Sequence, residues 1–192
     1  MALINVAARE IHCKIVYYGP GLCGKTTNLK YIHSAVPGHA KGDLLSIATE
    51  TERTLFFDFL PLDLGQVHGF QTRFHLYTVP GQVLYERTRV AVLNGADGVV
   101  FVADSQQSKL RENIQSLQEL ARNIQAQGKK FLEFPLVLQY NKRDMPNAVP
   151  VEVLDHYLNS SIKVPRFEAI ASKGDGVFDT LKSISKLVIS KL

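Results

Sequence analysis

The segment Gly19-Pro20-Gly21-Leu22-Cys23-Gly24-Lys25-Thr26 places glycines at its first and sixth positions, then a lysine and a hydroxyl. That spacing suits a polyphosphate. Glycines let the backbone curl until successive N–H groups converge on phosphate oxygens. A helix opening near Lys25 turns its positive end toward the same anion. In this G-x-x-x-x-G-K-[ST] pattern the lysine neutralises the β- and γ-phosphates and the hydroxyl that follows ligates Mg²⁺. The candidate phosphate-binding residues are therefore Gly19, Gly21, Leu22, Cys23, Gly24, Lys25, Thr26 and Thr27, with Thr26 as a metal ligand. Pro20 has no N–H to donate, a role another loop residue can take. An apolar β-type run precedes the loop and a helical pattern follows it, the two contexts this motif requires.

A second constellation, Asn141-Lys142-Arg143-Asp144, follows the apolar run Pro135–Tyr140. An aspartate there can accept both the N1–H and the exocyclic amine of guanine. Adenine presents the opposite pattern at that edge and would leave Asp144 unpaired, a mismatch that can discriminate by ~10⁴-fold. Asn141 would hold the loop and reach the purine's other edge, and the Lys142 stem would lie along the base plane. Ala171-Ser172-Lys173 follows a later strand, and a backbone N–H from Ala171 or Ser172 would reach the purine carbonyl. The expected ligand is GTP or GDP with Mg²⁺.

The elements that position these loops are readable from periodicity. Apolar β-rich runs alternate with helical patterns, as in a parallel sheet covered on both faces. Strands are expected at Ile11–Tyr18, Gly98–Ala103, Pro135–Tyr140 and Arg166–Ala171. A hairpin is expected from Leu55–Leu60 and Thr72–Tyr77, with Gly65 and Gly69 in its turn. Helices are expected from Lys25 to about Ser34, around Val151–Leu158, and where Leu110, Ile114, Leu117, Ala121 and Ile124 form one stripe. A last helix carries Val177, Leu181, Ile184 and Val188, and residues 42–53 read as a polar connection. The fold class is α/β: a doubly wound, mostly parallel sheet of about six strands with one antiparallel edge hairpin, and sites at the carboxyl ends of the strands. Residues 1–192 read as a single domain.

Composition excludes several alternatives. The formal net charge of +4 is spread along the chain, not gathered into the basic stripe of a nucleic-acid binder. Cys13 and Cys23 make no disulfide framework, and the six histidines have no metal-ligand spacing. There is no signal peptide, lipidation motif or long apolar run, so a cytoplasmic protein without a direct membrane anchor is expected, brought to any cell pole by a partner.

Taken together, the two motifs and their order resemble the Ras superfamily of small GTPases over nearly the whole chain. The runs Lys14–Thr27, Thr49–Pro61 and Phe74–Gln82 resemble more closely its bacterial MglA branch of polarity and gliding-motility GTPases. The resemblance implies that Gly81 senses the γ-phosphate with its N–H and Gln82 orients the attacking water. Most Ras-like proteins carry D-x-x-G-Q, whereas this chain reads Thr78-Val79-Pro80-Gly81-Gln82. Thr78 thus stands where an aspartate usually organises Mg²⁺. Thr54 is implied as the switch threonine that closes on Mg²⁺ and the γ-phosphate. Arg53, on its own a charge at the entry to a strand, is implied as an internal arginine finger. Catalysis would rest on Gln82, Arg53 and Lys25. Asp58 alternates with phenylalanines and faces either solvent or the metal region, and Cys23 is either a small filler or a redox-sensitive thiol. The implied partners are a Roadblock-type MglB homodimer that accelerates hydrolysis and downstream polarity or motility effectors. The implied function is a GTP-hydrolysing switch, slow on its own. The alternative is a nucleotide-loaded scaffold with negligible hydrolysis, motivated by Thr78.

Overall fold

The computed structural model describes residues 2–48 and 55–192. The chain runs through β1 (Leu3–Asn5), β2 (Glu10–Tyr18), α1 (Lys25–Ala35), β3 (Leu45–Ala48), β4 (Leu55–Val67), β5 (Phe70–Thr78) and α2 (Glu86–Leu93). It continues through β6 (Gly98–Asp104), α3 (Leu110–Ala126), β7 (Leu136–Asn141), α4 (Val151–Leu154), β8 (Arg166–Glu168) and α5 (Val177–Ile189). The strands form one eight-stranded sheet in the order β3-β4-β5-β2-β6-β7-β8, with β1 paired to β2 beside this path.

The sheet corrects the expected strand number from about six to eight. Both additions are short. β1 lies antiparallel on the first residues of β2, Glu10–His12, while β6 takes the same flank of β2 further on, at Ile15–Tyr18. β3 pairs antiparallel with β4 through Ser46 opposite Asp58, so part of the stretch read as a polar connection is the edge of the sheet. The hairpin arms are also longer than expected and turn at His68-Gly69.

Strands β5, β2, β6, β7 and β8 are mutually parallel, so their carboxyl ends share one edge. After β2 the chain crosses to the outer edge at β3 and builds inward through β4 to β5, which lies beside β2; after β5 it passes to the other flank through β6. The reversal between β2 and β6 opens a crevice outside the strand ends, where such sheets bind ligands.

Burial explains the strand sequences. β6 and β7 are buried at every position, as expected for strands covered on both faces. One face packs α1 and α5 around Leu29, Ile32, Leu181 and Ile184. The other packs α2, α3 and α4 around Leu93, Leu120, Phe101 and Leu154. On α3 the centre of the stripe is Leu117, Leu120 and Ile124, with Leu110 and Ile114 at its margin; Ala121 is only half-buried. The strand expected over Arg166–Ala171 is limited to Arg166–Glu168, and the helix expected to Leu158 is α4 continued by a π-type turn, Asp155–Asn159. Across the middle, the Asn28 and Gln139 side-chain amides bond each other reciprocally at 2.8 and 2.9 Å, and Gln139 also reaches Thr180. This fully buried triad fixes α1 and α5 against β7. Among the described residues no helix is long and apolar enough to cross a membrane.

Candidate functional site

A cleft of about 540 Å³ opens along the shared strand edge, lined by residues 21–27, 78–82, 141, 142, 144, 171 and 172, together with Phe57 and Asp58. Of the sequence-selected residues, the phosphate loop from Gly21 onward, Gly81, Gln82, Asn141, Lys142, Asp144, Ala171 and Ser172 meet in it. Gly19 lies behind its wall, where a Cβ would collide with the Val102 carbonyl. Arg53 and Thr54 lie outside the described residues.

The phosphate loop links the end of β2 to the start of α1, and Gly24 caps α1 at φ 108°, a left-handed conformation that favours glycine. The Lys25 ammonium folds back along the loop, donating to the Gly19 and Pro20 carbonyls at 2.9 and 2.6 Å and to Cys23 Sγ at 3.6 Å. Burial pushes the Cys23 thiol up, with the Lys25 charge only partly offsetting this. Cys23 therefore stands as a protonated wall residue. A Cβ on Gly81 would strike the backbone of Pro20 and Gly21, so the Pro80–Gln82 segment lies directly against the phosphate loop.

The base-side loops are cross-tied. Asn141 Nδ2 donates to the Cys23 carbonyl at 2.8 Å, and Asn141 Oδ1 accepts from the Ala171 N–H at 2.9 Å. One buried side chain thus joins three loops. Asn141 therefore braces the loops, as expected of it, and its second amide N–H and second oxygen lone pair are not used by these two bonds. The Lys142 backbone sits at φ 63°, and its ammonium bonds Asp104 Oδ2 at 2.7 Å. Asp104 ends β6 and is buried; Asn113 bridges its N–H and C=O. The Lys142 stem is thereby stretched along the cleft floor, while Asp144 is exposed at its rim.

Asp58 resolves the alternative left open for it: it faces inward and is 3% exposed. Its carboxylate accepts from Thr26 Oγ1 at 2.5 Å, Thr78 Oγ1 at 2.9 Å and Ser46 Oγ at 2.7 Å. The Asp58 N–H donates to Thr78 Oγ1 at 2.7 Å. A carboxylate from β4 thus lies beside both Thr78 and the Thr26 hydroxyl. A hydroxyl and a carboxylate side by side are hard oxygen donors, the set that suits Mg²⁺. Period-two alternation put Asp58 on one face of its strand but could not say which hydroxyls meet that face.

Two further residues escaped sequence reasoning. Arg89, on α2, is buried and bonds both the backbone around Gln82 and Glu119 of α3. Glu119 also accepts from Tyr18 Oη at 2.6 Å. Burial alone would push the Glu119 carboxyl up, but the bonds from Arg89 and Tyr18 and the Arg89 charge outweigh it and hold the group below its ordinary value. No sequence signal marked Arg89: α2 carries both Arg87 and Arg89, and only packing shows that the second is the buried one.

Residues 2–188 match the model of the ADP-ribosylation factor family. The mutual gliding-motility protein MglA of Myxococcus xanthus (strain DK1622) is 57% identical over 192 residues, covering 100% of this chain and 98% of that protein. A family match along nearly the full length, a full-length relative at this identity and a cleft that gathers the phosphate and base motifs agree: the chain belongs to the ADP-ribosylation factor family of Ras-like small GTPases, proteins that bind guanine nucleotide as molecular switches.

Proposed function

We propose that this chain binds GTP and GDP with Mg²⁺, hydrolyses GTP slowly on its own, and does so faster with an activating partner. The observation that carries the reading is the convergence of the phosphate loop, Gly81-Gln82 and Asn141–Asp144 in one cleft. The nucleotide phosphates would lie along residues 21–27, with Lys25 turning from the loop carbonyls to phosphate oxygens. Asp144 at the rim would read the guanine edge. Because the Ala171 N–H is given to Asn141, the neighbouring Ser172 N–H is the donor for the purine carbonyl. Thr26 and Thr54 would hold Mg²⁺, with Asp58 supplying the nearby carboxylate that Thr78 cannot. An ion held there would supply positive charge to offset that of the β- and γ-phosphates.

Hydrolysis is in-line attack of water on the γ-phosphorus. Gln82 orients the water, the Gly81 N–H senses the γ-phosphate, and Arg53 places positive charge on the transition state. Closure of a segment upon γ-phosphate binding is the usual way such proteins signal. By similarity to the gliding-motility relative, the switch would regulate cell polarity or motility, with a Roadblock-type MglB dimer as the partner that arranges Arg53 and Gln82.

Displacement of a fluorescent GDP analogue tests the base reading. Unlabelled GTP and GDP should compete and ATP should not; equal competition by ATP would remove Asp144 from its role. Multiple-turnover phosphate release tests the chemistry. Gln82→Leu and Arg53→Ala should bind GTP normally yet lose partner-stimulated release. Thr78 favours a second reading, a loaded scaffold that scarcely hydrolyses, and phosphate release no faster with partner than without would select it.

A further inference from the structure

The backbone that carries Gln82 is gripped from beneath by a side chain outside the nucleotide cleft. Arg89 is 4% exposed at its side chain, and each of its five N–H donors has an acceptor. Nε and Nη2 fork onto the two oxygens of Glu119 at 2.6 and 3.2 Å. Nη1 reaches the Pro80 carbonyl at 3.1 Å and also the Gln82 carbonyl, and Nη2 reaches the Val83 carbonyl at 3.4 Å. The three carbonyls bracket Gly81 and Gln82. Glu119 is itself fixed by Tyr18 Oη at 2.6 Å, and Asn123 steadies that phenol at 3.3 Å. Tyr18 ends β2 and the next residue opens the phosphate loop.

We propose that Arg89, braced by Glu119 and Tyr18, is a positioning residue for hydrolysis: it fixes the Pro80–Val83 backbone so that Gln82 projects at the water and the Gly81 N–H meets the γ-phosphate. The inference rests on the roles assigned above to Gln82 and Gly81. Its physical basis is the fork. A guanidinium can hold a carboxylate with one edge and carbonyls with the other, whereas an ammonium has three donors on a point and cannot span both. The Gln82 side chain is exposed, so its orientation depends on the backbone below it. Glu119 is the counter-charge that makes a buried guanidinium tolerable, and it also links the grip to the strand end that positions the phosphate loop.

The test is single-turnover hydrolysis at saturating GTP, with GDP affinity measured alongside, for Arg89→Lys, Gln82→Leu and the double variant. Arg89→Lys should lower the hydrolysis rate by about tenfold or more, since small misplacements of a reacting group cost that much, while GDP affinity stays within about threefold. In the Gln82→Leu background Arg89→Lys should cost nothing further, because the residue being positioned is already gone. A merely structural role would slow both backgrounds equally, and that result overturns the proposal, as does a wild-type rate in Arg89→Lys. If Arg89→Lys does not fold, Glu119→Gln keeps the side-chain shape but removes the charge and puts an amide donor where one acceptor oxygen of the fork stood, so it should show the same pattern, with a loss of about threefold or more; equal rates in Glu119→Gln and wild type overturn the brace. Failure of the underlying reading looks different: Gln82→Leu would hydrolyse as fast as wild type, and a positioning role for Arg89 toward Gln82 would fall with it.

Discussion

The two halves of the cleft are held together by different kinds of bond. On the base side, Asn141 spends both ends of its amide on backbone groups of other loops, and the Lys142 ammonium is held by a buried aspartate. None of these bonds competes with a ligand. On the phosphate side, Lys25 bonds the carbonyls of its own loop, and Thr26 donates to Asp58. Both are groups that phosphate oxygens or a metal ion would claim. One half is a finished scaffold; the other holds its charged groups in bonds that a ligand can exchange. A switch needs both, a constant end that recognises the base and a convertible end that registers the γ-phosphate.

The largest expected effect removes the exchangeable cation. Lys25→Ala should weaken GTP and GDP binding by about 3–5 kcal/mol, at least ~100-fold, since it deletes a charge-assisted contact to phosphate, while thermal unfolding without nucleotide changes little. Isothermal titration checks the first part and calorimetric unfolding the second; a large drop in Tm would erase the contrast between the halves. Asn141→Ala should do the reverse. It leaves the Cys23 carbonyl and the Ala171 N–H without their partner, at about 1–3 kcal/mol each. The nucleotide-free Tm should fall by several degrees, at roughly 2–4 °C per kcal/mol for a chain of this size.

Asp58→Asn sharpens the phosphate side. The amide keeps one acceptor oxygen where the carboxylate met three hydroxyls, and it loses the charge. The Mg²⁺ concentration needed to retain bound GDP should rise by about tenfold, or ~1.4 kcal/mol, with the GTP-over-ATP choice unchanged. Metal titration of nucleotide release reads this directly, and an unchanged midpoint would remove Asp58 from the metal region. The smallest effect concerns Glu119. Its folded carboxyl is held below the unfolded value of 4.5, so its contribution is full above that pH and is lost as pH falls through the lower, folded value. The stability gap between wild type and Glu119→Gln should therefore be constant near neutral pH and close in acid. A gap that widens in acid would reverse the assigned sign.

The parts of this molecule written in contiguous residues were legible in the sequence. The phosphate loop, the buried strands and the amphipathic last helix each announce themselves within a short window. β1 and β3 did not, because Leu3–Asn5 and Leu45–Ala48 are too short to show a period and exist only through their partners. Asp58 was half legible: alternation gave it a face, but the hydroxyls that meet it come from Thr26, Ser46 and Thr78 on three separate elements. The Arg89–Glu119–Tyr18 cluster was invisible for the same reason, its members being brought together only when α2 and α3 pack on β2. The loop-holding role of Asn141 was legible, but its partners, the Cys23 carbonyl and the Ala171 N–H, come from loops far away in sequence.

Both cysteines lie beneath the surface, and burial drives the Cys13 thiol up to about 12 and Cys23 also upward. Neither presents a thiolate at neutral pH, so the native chain is quiet toward alkylating and maleimide reagents. A single cysteine introduced at the exposed tip of the phosphate loop, in place of Leu22, would then be the sole reactive thiol on the folded molecule, and a fluorophore attached there would watch nucleotide come and go against a silent background.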